Sequence, residues 1–250
     1  MTDTIERRPL VVARGGASAA APEHTIVAFE TAIAEGADAL GLRVCLTRDG
    51  HPVVFGPAGL ERTTNSRGPL AARTVQDLKR LDAGGWKDPR FAGQRIQTLH
   101  EVLERFRDRT RFWVELPEAG DLQGDIEERV VSTIEIYDAV ELCEVHSADL
   151  AALDRVRALN AEVKRAVIWR KGALDGILRA AAALEAVRAA TQVLGAAEVA
   201  AIRSAGLRCY AGNADEPALV DRLVDWRVDG ILTDRPAMAR SRIDWSGRPD

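Results

Sequence analysis

The sequence predicts one α/β domain, a TIM (β/α)8 barrel with a small hairpin and loop insertion after its second strand. Three observations carry that expectation. Short apolar runs alternate with amphipathic stretches along nearly the whole chain, the pattern of repeated βα units and a parallel sheet. Eight such strand-like runs occur. The length of 250 residues suits a single barrel and is long for most other one-domain folds.

The first strand is PLVVA, Pro9 to Ala13. A helix opens near Thr25, with Ile26, Phe29, Ala32 and Ile33 on one face and Gly36 as its stop. In ADALGLRVCLT, Leu40, Leu42 and Val44 alternate with Gly41, Arg43 and Cys45, as a strand requires. RDGH then marks a turn and PVVF the returning strand; a two-residue Asp49-Gly50 loop sets Arg43 opposite Gly56. From 56 to 97 the periodicity weakens into an insertion, within a single domain spanning 1–250. TVQDLKRLD is a short helix with Thr74 as its N-cap, GGWKDPRF is loop, and TLHEVLERFRDR is an amphipathic helix. The remaining strands are RFWVEL, VELCEVHS, EVKRAVIW, TQVLG, LRCYAG and GILTD. The helical stretches between them include GALDGILRAAAALEAVRAA, whose alanines favour helix.

Composition excludes several classes of function. Hydrophobic residues at 46% and charged residues at 29% describe a soluble globular chain. The net charge of −4 provides no footprint for nucleic acid or an anionic membrane, so no nucleic-acid partner is expected. MTDTIERRPL lacks the apolar core of a signal peptide, and no apolar run is long enough to span a bilayer. Cys45, Cys143 and Cys209 are far apart, without metal-site spacing, and read as reduced, buried thiols of a cytoplasmic protein. Oligomeric state is not encoded in any of these features.

Several long stretches, taken in order, resemble the glycerophosphodiester phosphodiesterase family. They are VVARGGAS…APEHT, EGADALGLRVCLTRDGHPVVF, GLERTTNSRG, LDAGGWKDPRFAGQRIQTLHEVL and RVDGILTDRP. The resemblance implies a metal-dependent phosphodiesterase barrel. In that family a His-Arg pair ends the first strand and a Glu-x-Asp pair lies on the second. A His-Asp dipeptide follows the hairpin, and a Glu-x-Lys lies on the next barrel strand. The carboxylates bind a divalent metal, usually calcium or magnesium. The two histidines act on the phosphodiester as nucleophile or general base and as general acid.

Carried across by position, nearly all of these residues are changed. The first pair becomes Arg14 and Gly15, the second Gly41 and Arg43, and the third Gly56 and Pro57. Glu115 survives, but the lysine beyond it is Pro117. The family's late WTVN motif falls on Gly212, Asn213, Ala214 and Asp215. Glu23 and Thr25 remain, around His24 in place of an asparagine.

These replacements alter the chemistry the resemblance implies. A hard divalent cation needs several oxygen ligands, which Glu115 alone cannot supply, so no metal or other cofactor is expected. Arginine is neither a general base nor a nucleophile, so the two-histidine reaction cannot run. The candidate ligand-binding residues are Arg14, Glu23, Arg43, Glu115, Trp169, Tyr210 and Asn213. His24, His146 and Glu115 are the candidates for proton transfer.

Each candidate has a competing structural role. Arg14 and Arg43 either bind an anion in bidentate fashion or pair internally, Arg43 with Glu115 and Arg14 with Glu23. His146 and His24 are either site residues or a hydrogen-bonded structural residue and an exposed loop residue, respectively. Trp169 and Tyr210 either line a pocket or pack in the core. His51 and His100 are placed away from any site, and Asp234 braces the last turn.

The function expected is a family barrel with a degenerate site, a pseudoenzyme that binds an anionic small molecule or a partner. Two alternatives are a re-purposed metal-independent enzyme and a phosphodiesterase with relocated catalytic residues.

Overall fold

The alternation of side chains along each strand sorts the barrel into an inner and an outer layer. In the computed structural model, residues 8–56, 59–117, 124–180 and 184–246 are described. In β1 (Leu10–Arg14), Val11 and Ala13 pack outward into the main core, while Val12 joins a smaller cluster inside the barrel. The same parity governs β2 (Ala39–Leu46), β5 (Arg111–Glu115), β6 (Cys143–Ser147), β7 (Lys164–Trp169), β8 (Ala186–Ala190), β9 (Arg208–Gly212) and β10 (Gly230–Thr233). These eight strands pair in parallel around a ring, closed where β1 pairs with both β2 and β10.

Two antiparallel strands, β3 (Pro52–Val54) and β4 (Gln97–Thr98), extend from β2 as a flange. The flange has its own apolar cluster, in which Val53, Phe55, Leu60, Leu70 and Ile96 are buried.

The helices form the outer layer: α1 (Ile26–Ala34), α3 (Leu99–Phe106), α4 (Ile126–Ile136), α5 (Leu150–Leu159), α6 (Leu174–Ala180), α7 (Ala196–Ser204), α8 (Pro217–Asp225) and α9 (Pro236–Ser246). The short α2 (Val75–Leu78) belongs to the insertion. Their starts follow the capping rules. Thr25 caps α1, and Thr74 with Asp77 and Thr98 with Glu101 form capping boxes on α2 and α3. Gly36 follows α1 at φ +83°, a left-handed conformation that costs glycine little. Among the described residues no helix is long and apolar enough to cross a membrane. All three cysteines are free, with Cys143 and Cys209 buried and Cys45 half-buried.

Two sequence expectations are corrected. The sixth barrel strand is AVRAA, β8, and not TQVLG, which forms the turn after it. Alanine's helix preference amounts to under about 1 kcal/mol per residue and yields to tertiary pairing. Here β7 and β9 hydrogen-bond to both edges of β8, Ala186 fits the crowded interior, and Val187 and Ala189 pack outward.

The hairpin register also shifts by one residue. Its loop has three residues, closed by Thr47 N–H to the His51 carbonyl at 3.0 Å, with Gly50 at φ +77°. Val44 therefore faces Val54, and the Phe55 N–H donates to the Arg43 carbonyl at 2.9 Å. Phe55, not Gly56, is the residue opposite Arg43.

Candidate functional site

The inner-facing side chains at the C-terminal strand ends surround a cavity of about 540 Å3. Because strand side chains alternate, each strand contributes residues two apart: Gly41 and Arg43, Trp113 and Glu115, Arg188 and Ala190. Ile168 and Arg170, at and just beyond the end of β7, follow the same rule. Arg14, Asn213 and Leu232 complete the strand-end set, and the flange adds Gly56 and Arg62. The β1–α1 loop supplies Ser18, Glu23 and His24. Gly16, at φ +89°, lets that loop lie on α1: a Cβ there would come within 2.6 Å of the Ala28 carbonyl.

Five guanidiniums and two carboxylates thus line one cavity. Glu115 accepts a hydrogen bond from Arg188, and Arg170 approaches its other oxygen at 3.3 Å. Burial alone would push the Glu115 carboxyl up. The charge and hydrogen bond of Arg188, then the charges of Arg170 and Arg43, hold it below the usual carboxylate range. Arg43 therefore stabilises Glu115 electrostatically, as one of three arginines.

Arg14 does not pair with Glu23. Its Nε and Nη2 donate to Asp234 at 2.9 and 2.5 Å, a bidentate contact. The Asp234 expected to brace the last turn is thus the residue that orients Arg14. Glu23 instead accepts both Nη1 and Nη2 of Arg62, at 2.9 and 2.5 Å. Burial raises the Glu23 carboxyl, but the Arg62 hydrogen bond and the nearby charges bring it below its ordinary value.

The candidate histidines separate. His24 lines the cavity. Burial pushes its imidazole down to about 4, against a smaller upward pull from Glu23, so the ring is neutral at pH 7. His146 is fully buried beneath the cavity and is not a proton-transfer residue of the mouth. Its ring stacks on Trp113 at 4.8 Å, and both of its nitrogens lack hydrogen-bond partners. Tyr210 is also inside the barrel below the cavity, its hydroxyl donating to Glu144 at 3.1 Å. Of these stacked rings, Trp113 is the one that reaches the cavity. Trp169 faces the helical layer, with Nε1 donating to the Gly172 carbonyl at 3.3 Å. Trp169 and Tyr210 are therefore core residues. Asn213 does line the cavity.

Sequence reasoning missed Arg62, Arg170 and Arg188 as site residues. The parity of RAVIWR could have found Arg170, since Trp169 packs outward. Arg188 was hidden by the alanine-rich tract around it.

The donor set does not fit the divalent metal that the resemblance implies. Gly41 and Gly56 offer no side-chain ligand atoms, Arg43 is a cation, and Glu115 is engaged by arginines; Pro57 lies outside the described residues. Among the described residues no group of three or more His, Cys, Asp or Glu side chains could hold a metal ion.

An eight-stranded parallel barrel with a charged cavity at its C-terminal strand ends defines the TIM-barrel class of ligand-handling proteins. Within that class, the family model described as the glycerophosphoryl diester phosphodiesterase family matches residues 15–238, and the chain belongs to this family.

A glycerophosphodiester phosphodiesterase of Caldanaerobacter subterraneus is 32% identical over 232 residues, covering 92% of this chain and 95% of the relative. One from Bacillus subtilis is 30% identical, covering 92% and 84% respectively. Among solved structures, an Oleispira antarctica phosphodiesterase in complex with the product sn-glycerol-3-phosphate superposes with a TM-score of 0.88 at 26% identity. That match covers 95% of this chain and 97% of the neighbour.

Proposed function

We propose that this chain binds a phosphate-bearing small molecule at its barrel mouth through arginine charge. On this reading it does not carry out metal-dependent, two-histidine hydrolysis. The observation that carries the reading is the cavity wall, where Arg14, Arg43, Arg62, Arg170 and Arg188 stand against Glu23 and Glu115. Guanidiniums match phosphate oxygens in bidentate geometry and hold charge at any physiological pH. Carboxylates orient three of them in advance: Asp234 holds Arg14, Glu23 holds Arg62, and Glu115 holds Arg188. Such preorganisation lowers the ordering cost of binding. The Oleispira antarctica neighbour is described with sn-glycerol-3-phosphate, which supports a phosphate-bearing ligand for this framework.

Hydrolysis would need a charge-offsetting metal and groups that move protons near neutral pH. Arginine at position 14 and glycine at 56 supply neither proton donor nor base in the family's manner.

The test pairs calorimetric titration of sn-glycerol-3-phosphate with a glycerophosphodiester hydrolysis assay in calcium or magnesium. The expected result is saturable binding, weakened at least tenfold by Arg43→Ala, with no turnover. Metal-dependent turnover that Glu115→Ala abolishes would overturn the reading. The neutral His24 in the same cavity favours one second reading, a re-purposed metal-independent enzyme. Phosphate-ester turnover that survives a chelator and disappears in His24→Asn would establish it.

A further inference from the structure

His24 occupies space that two glycines leave open. It sits in the β1–α1 loop at φ +59°, a left-handed conformation that histidine and asparagine tolerate better than most residues. Its backbone N–H donates to the Gly15 carbonyl at 2.8 Å. This conformation brings the imidazole against both Gly15 and Gly56. A Cβ built on Gly56 would lie 3.1 Å from His24 Cδ2 and 3.2 Å from Nε2. The same atom would lie 2.5 Å from Glu23 Oε1. A Cβ on Gly15 would lie 3.4 Å from His24 Nε2. On Gly41 it would meet nothing closer than 3.5 Å. The bareness of position 56 is therefore tied to His24 and Glu23, whereas that of position 41 is not.

His24 is 8% exposed, lines the arginine cavity, and keeps Nδ1 buried with no hydrogen-bond partner. A buried polar atom without a partner is costly and is retained where another constraint places the group. The Nε2 edge is the one that lies against the two glycines at the strand ends. The charged groups acting on the ring are Glu23 beside it, Arg14 from β1, Glu115 from β5 and Arg62 from the insertion.

We infer that His24 contacts the ligand's phosphate through Nε2 and makes the site selective for phosphate monoesters over phosphodiesters. The inference rests on the arginine-site reading above. A monoester carries close to two negative charges at pH 7.5, a diester one. The second charge draws a proton from solvent onto the ring and forms a charge-assisted hydrogen bond. A diester's single charge is already matched by guanidiniums and gains only a neutral hydrogen bond. The proton returns to solvent when the ligand leaves, and no bond to phosphorus forms or breaks.

The experiment is calorimetric titration of methyl phosphate, dimethyl phosphate and sulfate at pH 7.5. Each titration is run in two buffers of different ionisation enthalpy, on the natural chain and on His24→Asn. Asparagine suits the left-handed backbone, and unchanged thermal unfolding checks the fold. The natural chain is expected to prefer methyl over dimethyl phosphate about tenfold or more. It should also take up a fraction of a proton with sulfate, which has no proton of its own to exchange at this pH. His24→Asn should lose both the preference and the uptake, and weaken methyl phosphate by a larger factor than dimethyl phosphate, which loses only a neutral hydrogen bond. An unchanged preference in the variant overturns the assignment of His24 alone. Absence of binding by any of the three anions to the natural chain overturns the arginine-site reading and this inference with it.

Discussion

Replacing Arg188 with alanine is expected to cost the fold about 2–3 kcal/mol at pH 7, because of how Glu115 is held. The Arg188 side chain is 9% exposed and that of Glu115 20%, so the pair is largely desolvated. Removing one partner of a fully buried pair costs about 3–5 kcal/mol, since the remaining charge is stranded. Arg170 remains at 3.3 Å from Glu115 but is 45% exposed, so it restores only part of the lost charge. In a chain of 250 residues the expected loss lowers Tm by about 5–10 °C.

The pH dependence has a definite sign. The folded Glu115 carboxyl lies below its ordinary value, so its contribution is fully present above the unfolded pKa of about 4.3. The contribution disappears as pH falls through the folded value. The Arg188→Ala deficit should therefore shrink in acid. Thermal unfolding followed by circular dichroism at pH 7 and pH 3.5 measures both effects. Combining Arg188→Ala with Glu115→Gln should cost less than the sum of the two single changes, since the stranded charge is gone. A Tm within 1 °C of the natural chain at pH 7 (about the precision of the measurement), or strict additivity in the double variant, would refute the reasoning.

Two further outcomes follow from the packing and from the barrel interior. Gly56→Ala should destabilise by about 1–3 kcal/mol, because its Cβ would strike Glu23 and His24. Gly41→Ala, with no contact under 3.5 Å, should stay within about 0.5 kcal/mol when both variants are compared by denaturant titration. Burial pushes the Glu144 carboxyl up to about 7 despite Arg208 and the Tyr210 hydroxyl beside it. A raised carboxyl contributes stability that is complete below its unfolded pKa and lost as pH rises through the folded value. Glu144→Gln should therefore gain on the natural chain by about 1–3 kcal/mol between pH 4.5 and 8. Parallel stability curves for the two proteins across that window would contradict it.

Much of the fold was legible because its signals are local. The alternation in ALGLRV, the helix start at Thr25, the threonine cap at position 74 and the stop at Gly36 each depend on a few neighbouring residues. AVRAA was not legible, because its strand character comes from hydrogen bonds to β7 and β9. That one error also concealed Arg188, the residue bonded to Glu115. The hairpin register failed for a smaller reason: RDG serves as a three-residue loop as readily as DG serves as a two-residue one.

The sequence alone determined the family framework and the residues available for chemistry at its site. With arginine at positions 14 and 43 and glycine at 41 and 56, the metal ligands and histidines that the family resemblance implies are missing from those positions. Only the tertiary structure decided the pairings: Arg14 with Asp234, Glu23 with Arg62, and Glu115 with Arg188 and Arg170. It also placed His24 at the cavity, and His146, Tyr210 and Trp169 in the core. The physical reason is that residue type is carried by the chain, whereas an ion pair requires two side chains to meet. Arg14 and Asp234 are 220 positions apart and come together only when β1 and β10 close the barrel.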